Sequence, residues 1–423
     1  FWRDLEHIVN NFKIRGSWGE LGNCNTKAFY PFYQTMPTGV ENSGWLINGK
    51  KPNTASAPGI VSAEMTWETV RSWNIGFDFG LLNNRLTGSF DYFVRNTLDM
   101  IGPAPQLPAT LGATVPKVNN ADMKAWGFEV EVSWRDRIKD FNYGVKFVLS
   151  DDQRKVTRYP NEELNRNQWY AGRMDGLVWG YETVGIAKTD AEMEAHLASL
   201  PNGGQSQLGS KWAAGDIMYK DLNGDGKISS GDGTLNDLGD LKVVANTQLR
   251  FKYGLTLDAS WKGFDFSAFF QGVGKRDVVV GGPYFWGANG QGMWQAAAFK
   301  DHMDYFRPED TESVFGPNVD AYYPRVIFGG GSSEGGKNTL TQSRYVQNGA
   351  YIRLKNLQLG YTLPSTITKK FAVNSLRVYV SGDNLWTGTK MRVFDPEVLG
   401  STGDAGKAYP LARVWSVGLN VNF

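Results

Sequence analysis

The sequence predicts an all-β fold, a transmembrane antiparallel β-barrel with about ten strands present in this chain. Three observations predict it: strict two-residue alternation of apolar and polar side chains over long stretches, connections that are alternately tight and very long, and aromatic residues recurring at one spacing on the apolar faces.

The alternation is clearest at the end of the chain. In VWSVGLNVNF (414–423), Trp415, Val417, Leu419, Val421 and Phe423 fall on one side, and Ser416, Gly418, Asn420 and Asn422 on the other. Successive side chains of a strand point to opposite faces, so this segment has two unlike faces. In chain order, 11–22 is a weaker version, and SWNIGFDFG (72–80) carries Trp73, Ile75, Phe77 and Phe79 on one side. The stretch 85–100 is again weaker, while AWGFEVEVSW (125–134) sets Trp126, Phe128, Val130, Val132 and Trp134 against Gly127, Glu129, Glu131 and Ser133. FNYGVKFVL (141–149) follows, then LRFKYGLTLDASW (249–261), which alternates without interruption. FDFSAFFQG (264–272) is broken by Phe269, and 350–361 and 375–385 complete the set before the last strand. Soluble strands usually have five or six residues, whereas a tilted strand crossing a bilayer needs about nine to eleven.

The connections LLNN (81–84), RDRIKD (135–140), KG (262–263) and TLPSTITKKFAVN (362–374) are short; 23–69, 101–120, 157–245, 277–349 and 386–410 are long. Outer-membrane barrels have short periplasmic turns and long extracellular loops, and this parity predicts that orientation. Trp126 and Trp134, Tyr253 and Trp261, and Trp415 and Phe423 are each eight positions apart on an apolar face. At ~3.3 Å per residue and a tilt of about 40°, that spans roughly 20 Å, close to the separation of two aromatic girdles. Asp78, Glu129, Glu131, Lys146, Arg250, Lys252 and Asp258 then face a wet lumen, and open edges in hydrocarbon require that the strands belong to a closed barrel.

Lys plus Arg (44) balances Asp plus Glu (43), which removes bulk electrostatics toward a polyanion and with it nucleic acid as a partner. The one cysteine, Cys24, excludes an internal disulfide framework, and no run of about twenty apolar residues marks a membrane-spanning helix.

KIRGSWGELGN (13–23), ETVRSWNIGFDFGLLNNRLTGSFDYF (68–93), GFEVEVSW (127–134), GDIMYKDLNGDGKIS (215–229), YIRLKNLQLGYTLP (351–364), LRVYVSGDNLWT (376–387) and YPLARVWSVGLNVNF (409–423) resemble, in order, the SusC/RagA family of TonB-dependent outer-membrane transporters of Bacteroidetes. The resemblance implies that residues 1–423 are the C-terminal segment of a 22-stranded barrel, whose N-terminal plug and remaining strands are absent from this sequence. It implies TonB-dependent import of a large nutrient, oligosaccharide or oligopeptide, across the outer membrane of a Gram-negative bacterium. It also implies a SusD-like surface lipoprotein over the extracellular loops, TonB acting through the N-terminal part, and no enzymatic activity.

DLNGDGKISSGD (221–232) has the ligand spacing of a twelve-residue calcium loop. Asp221, Asn223 and Asp225 take positions 1, 3 and 5, Lys227 offers its carbonyl at 7, Ser229 sits at 9 and Asp232 closes at 12, with Gly226 at the sharp turn. The expected role is a structural Ca2+ ordering an extracellular loop; the alternative is a solvated Asx-rich turn. In YFWGANGQGMW (284–294), Tyr284, Phe285, Trp286 and Trp294 are candidates for stacking on substrate or touching the lid, against plain packing over the barrel mouth. TDAEMEAHLASL (189–200) reads as a short helix capped by Thr189 or Asp190, with Ala191, Met193 and Leu197 toward the barrel and His196 at the surface. Three rival readings are a self-contained ten-stranded passive porin or adhesin, an outer-membrane hydrolase built on His302 in DHMD (301–304), and a soluble sugar-binding β-domain.

Overall fold

Ten strands pair antiparallel in chain order in the computed structural model, which describes all residues except 1–7, 25–32, 41–44, 63–64, 103–109, 111–114, 290–297, 328–332 and 400–408. They are β1 (Val9–Asn23), β2 (Glu68–Leu81), β3 (Leu86–Ile101), β4 (Asn119–Ile138), β5 (Phe141–Arg158), β6 (Arg250–Trp261), β7 (Phe264–Lys275), β8 (Tyr351–Thr362), β9 (Ser375–Thr389) and β10 (Val414–Asn422). Every alternating stretch of the sequence is one of these strands, and β4 reaches 20 residues. Their two faces are as unlike as the alternation requires. Ile75, Leu359 and Val417 stand on one face at 52, 56 and 76% exposure, where a soluble sandwich would cover them with a second sheet.

The other face is polar and cross-linked. Arg15 bridges Asp78 at 2.9 Å and Asp91 at 2.7 Å, Lys146 meets Glu131 at 2.8 Å, Lys252 meets Asp152 at 2.6 Å, and Arg377 is paired with Asp265. Each pair joins side chains of different strands on the same face, so Asp78, Glu131, Lys146 and Lys252 of the lumen set expected from the sequence enter a lattice of ion pairs.

Two local departures refine the strand readings. Phe251 has φ +55° and no pairing partner of its own, although the register is the same on either side of it and β6 runs through it from Arg250. Phe269, which breaks the alternation of β7, pairs with Thr256 on the polar face, and its ring fills the space over Gly254. A Cβ on Gly254 would stand 3.0 Å from Val148 and 3.2 Å from the Phe269 ring, so the glycine makes room for the aromatic side chain.

The sheet does not close on itself. β1 and β10 are its two edges, each paired on one side only, which argues against ten strands as a barrel complete in itself. All short connections lie at one end and all long ones at the other.

The buried core lies outside the sheet, among the long connections. Ile217, Tyr219, Phe285, Trp286, Tyr323 and Tyr345 form its centre, all at most 7% exposed. Helix α1 (Asp190–Ala198) belongs to this region, capped by the Thr189 hydroxyl accepting from the Glu192 N–H at 3.1 Å. Met193 is fully buried against Ala187 and Met218, so the helix packs on the loops and not on the barrel wall; Ala191 is exposed. His196 is half-buried, its Nε2 3.2 Å from Gln205 Oε1, and is not the surface residue expected.

Candidate functional site

Three features occupy the long-loop end. The first is the polar face itself, where it passes under the loops. A cavity of about 1000 Å³ lies between Ser150, Lys252, Phe269 and Gln271 on the sheet and a segment of the last long connection, Asp395–Leu399. That segment is strapped to the wall. Arg353, 2% exposed on β8, donates to Asp395 at 2.5 Å and lies 3.3 Å from Glu397; Lys355 donates to Glu397 at 2.8 Å. Arg276 donates to the carbonyls of Pro396 and Leu399 at 3.0 and 2.8 Å. A buried guanidinium is tolerated only with such partners, so strap and strand depend on each other.

The second feature is the loop core. Asp216 is fully buried and accepts from Arg325 Nε at 2.6 Å, Arg325 Nη2 at 2.8 Å, Asn338 at 2.9 Å and the Ala213 N–H at 3.0 Å, with Lys337 at 2.9 Å. Lys337 is also fully buried, lies 4.5 Å above the Trp212 ring and donates to the Ser210 carbonyl at 2.7 Å. The hydroxyl of Tyr219 donates to the Lys337 carbonyl at 2.6 Å, and complete burial raises that phenol far above its ordinary pKa. These residues tie the 157–245 and 277–349 connections into one folded body.

The aromatic candidates divide within this body. Phe285 is fully buried and Trp286 is 7% exposed, each edge-on to Tyr323 and Tyr345, so both are packing residues and not a platform for sugar or lid. Tyr284 is exposed and stacks on Phe299 at 5.7 Å, and Trp294 lies outside the described residues. His302 is buried; its Nδ1 accepts the Phe299 N–H at 3.1 Å and its Nε2 lies 3.2 Å from the Tyr284 carbonyl. Both ring nitrogens serve the loop, which leaves the hydrolase reading without a base.

The acidic loop is the third feature. Asp221 accepts from the N–H groups of Gly224 at 2.6 Å and Gly226 at 2.9 Å, Asn223 from Asp225 at 3.0 Å, and Asp225 from Lys227 at 3.1 Å. Against the cost of burial, the N–H groups of Gly226 and Gly224 hold the Asp221 carboxyl below its usual range. Gly226 has φ +78°, the left-handed conformation its place in the turn demands. Ser229 is buried, its hydroxyl accepting from the Gly231 N–H at 3.3 Å.

Asp232 does not close this loop: its carboxylate turns to Thr234, accepting that N–H at 2.7 Å. The carboxylate that does close it is Asp240, fully buried and accepting from Leu222 and Ser229 at 2.7 Å each. Burial, with Asp221 and Asp225 nearby, pushes the Asp240 carboxyl above its usual range. Of the six residues named from the spacing, Asp232 thus turns away to its own Asx turn, and among the described residues no three His, Cys, Asp or Glu side chains are arranged as a metal site. The spacing rule does not reach Asp240, because seven residues, 233–239, stand between it and the twelfth position.

Comparison with known proteins joins this architecture to a family. The family described as TonB dependent receptor-like, beta-barrel matches residues 2–260. The chain belongs to that family. Its members are outer-membrane β-barrels, and the unlike faces of the ten-stranded sheet suit that setting. TonB-dependent receptor P3 of Formosa agariphila is 26% identical across 99% of this chain and 40% of its own length. TonB-dependent receptor SusC of Bacteroides thetaiotaomicron is 23% identical across 100% of this chain and 38% of its own. The chain thus spans about two fifths of the length of these relatives. In fold it is similar to a chain in the structure of the RagAB peptide transporter, with a TM-score of 0.71 and 22% identity over 99% of this chain and 41% of that one. These relatives are named as receptors and transporters and not as enzymes.

Proposed function

We propose that this chain is wall and outer cap of a TonB-dependent importer that moves a large nutrient, oligosaccharide or oligopeptide, across the outer membrane. In this reading the short-turn end faces the periplasm and the long-loop end the exterior, where a SusD-like surface lipoprotein covers the loop body. TonB energises the transporter through a plug outside this sequence. The observation that carries it is the open ten-stranded sheet with one apolar and one ion-paired face and all long loops at one end. The similarity to SusC and to the RagAB transporter supports the choice of partner and cargo class. Growth of a strain lacking the gene on defined oligosaccharides and oligopeptides tests it. Loss of growth on one class, reproduced by deleting TonB, is expected; undiminished growth on every polymer tried would remove the import reading.

We also propose a structural calcium ion at the acidic loop, held by Asp221, Asn223 and Asp225 with Asp240 in the closing role expected of Asp232. An ion there would balance the three neighbouring carboxylates and leave the Asx turns to shape the loop. Protease protection of the 157–245 region should rise with calcium, and Asp240→Asn should abolish that rise while Asp232→Asn should not. Equal cleavage with and without calcium would leave the loop as a self-satisfied turn.

A further inference from the structure

The tight turns at the short-turn end have a charge bias that the chain as a whole, at net +1, does not have. Across 82–85, 135–140 (the last residues of β4 and its turn), 262–263 and 363–374 stand Arg135, Arg137, Lys139, Lys262, Lys369 and Lys370. A seventh base, Arg85, is paired with Asp136 at 3.2 Å, which leaves Asp140 as the other acid of these turns. None of those six bases has an ion-pair partner among the described residues, in contrast to the ion-paired face of the sheet.

The turn 363–374 adds an apolar element to this rim. It folds as one helical turn, α2 (Ser365–Thr368), continued by a 3-10 turn over Lys369–Phe371. Thr368 is buried, its hydroxyl 3.4 Å from the Asn374 carbonyl, which fixes the inward side. Ile367 and Phe371 stand at 45 and 74% exposure, with Lys369 and Lys370 exposed between them.

The turn adjoins the lipid-facing band of the sheet. Phe264 packs on Tyr361 at 4.5 Å, the Thr362 N–H donates to the Gly263 carbonyl at 2.7 Å, and Lys262 lies 5.5 Å from the Trp261 ring. The turns 262–263 and 363–374 are therefore neighbours, joined through aromatic residues at the edge of the apolar face. Amphipathic side chains at such a boundary bury their apolar parts in hydrocarbon and raise their charges to the headgroups.

We propose that this basic rim, centred on Ile367–Phe371, is a docking surface for anionic phospholipid headgroups of the periplasmic leaflet. Apolar Ile367 and Phe371 enter the acyl region, and Lys369, Lys370 and Lys262 meet the phosphates above it. The inference rests on the orientation in the proposed function but not on import, so the two fail separately.

The test uses the full-length transporter carrying Cys24→Ser and Phe371→Cys, spin-labelled at the new thiol, in vesicles of phosphatidylglycerol and phosphatidylethanolamine. Collisions of the label with oxygen should exceed those with a water-soluble nickel chelate. A label that meets the chelate more often stands in water, and one that meets neither is covered by protein; either result overturns the proposal. In native mass spectrometry of the transporter, Lys369→Gln and Lys370→Gln should each lower retained phosphatidylglycerol about fivefold, with phosphatidylethanolamine unchanged. Unaltered phosphatidylglycerol retention in both variants overturns the headgroup assignment. Labelling of the Phe371→Cys variant on intact cells by an impermeant maleimide would place this end outside and overturn both the leaflet and the orientation.

Discussion

In the ten-stranded sheet, large apolar side chains such as Ile75 and Val417 stand uncovered while charges are paired across strands; in the loop body above it, apolar side chains are buried and charges are buried with them. The sheet carries the signature of a wall that relies on lipid for one half of its solvation. The loop body has a buried core of its own, with Tyr219 and Phe285 at its centre and the Asp216–Lys337 pair inside. Lipid substitutes for a core in the first, and packing supplies one in the second. Changes to one region should therefore leave the other intact.

The largest effect is expected from Asp216→Ala. Lys337 would be left buried beside Arg325 with Glu334, at 3.2 Å, as its remaining carboxylate, at a cost of about 3–5 kcal/mol. Hydrogen exchange should accelerate across 157–245 and 277–349, while the folded barrel keeps its heat-modifiable migration in gels. A barrel that fails together with the loops would erase the distinction between the regions.

Leu255→Lys attacks the other side. Leu255 pairs with Phe270 and Phe147 on the apolar face, and a lysine there should destabilise assembly by about 2–4 kcal/mol with little change in the loops. Thr256→Lys, one residue on and facing the polar side, should cost far less. Equal costs would mean that the faces are assigned wrongly.

Tyr219→Phe sharpens the comparison at smaller scale. It removes the hydroxyl that donates to the Lys337 carbonyl and leaves that carbonyl short of a partner, costing about 1–3 kcal/mol of loop stability. Protease susceptibility of the loops read against barrel migration separates this from a global effect.

The smallest effect concerns pH. Burial lowers the His196 pKa, in spite of its contact with Gln205. An imidazole with a depressed folded value is neutral at high pH and costs nothing there. As the pH falls through about 6.5 toward the folded value, the unfolded segment binds the proton first and the α1 region loses stability. Exchange rates of α1, corrected for intrinsic rate, should show this loss, and His196→Asn should remove it.

The two regions also differ in how far the sequence reveals them. A strand's faces follow from a local two-residue period, so ten strands could be read from 414–423 and its nine counterparts, with only Phe251 hidden, because a positive φ leaves no mark in an apolar pattern. The loop body is built from contacts between distant segments: Asp216 meets Asn338 across 122 positions, and Arg353 meets Asp395 from a different connection. No spacing rule announces these pairs. The acidic loop falls between the extremes, since Asp221, Asn223 and Asp225 are local whereas Asp240 arrives by a detour through Asp232 and Thr234.

Native mass spectrometry of the complex, gently extracted from outer membranes through a tag on this chain, tests the central claim most directly. The expected result is this chain in one particle with a surface lipoprotein and with the plug and remaining strands of the barrel. Recovery of residues 1–423 alone, as a closed and stable ten-stranded barrel, would contradict it.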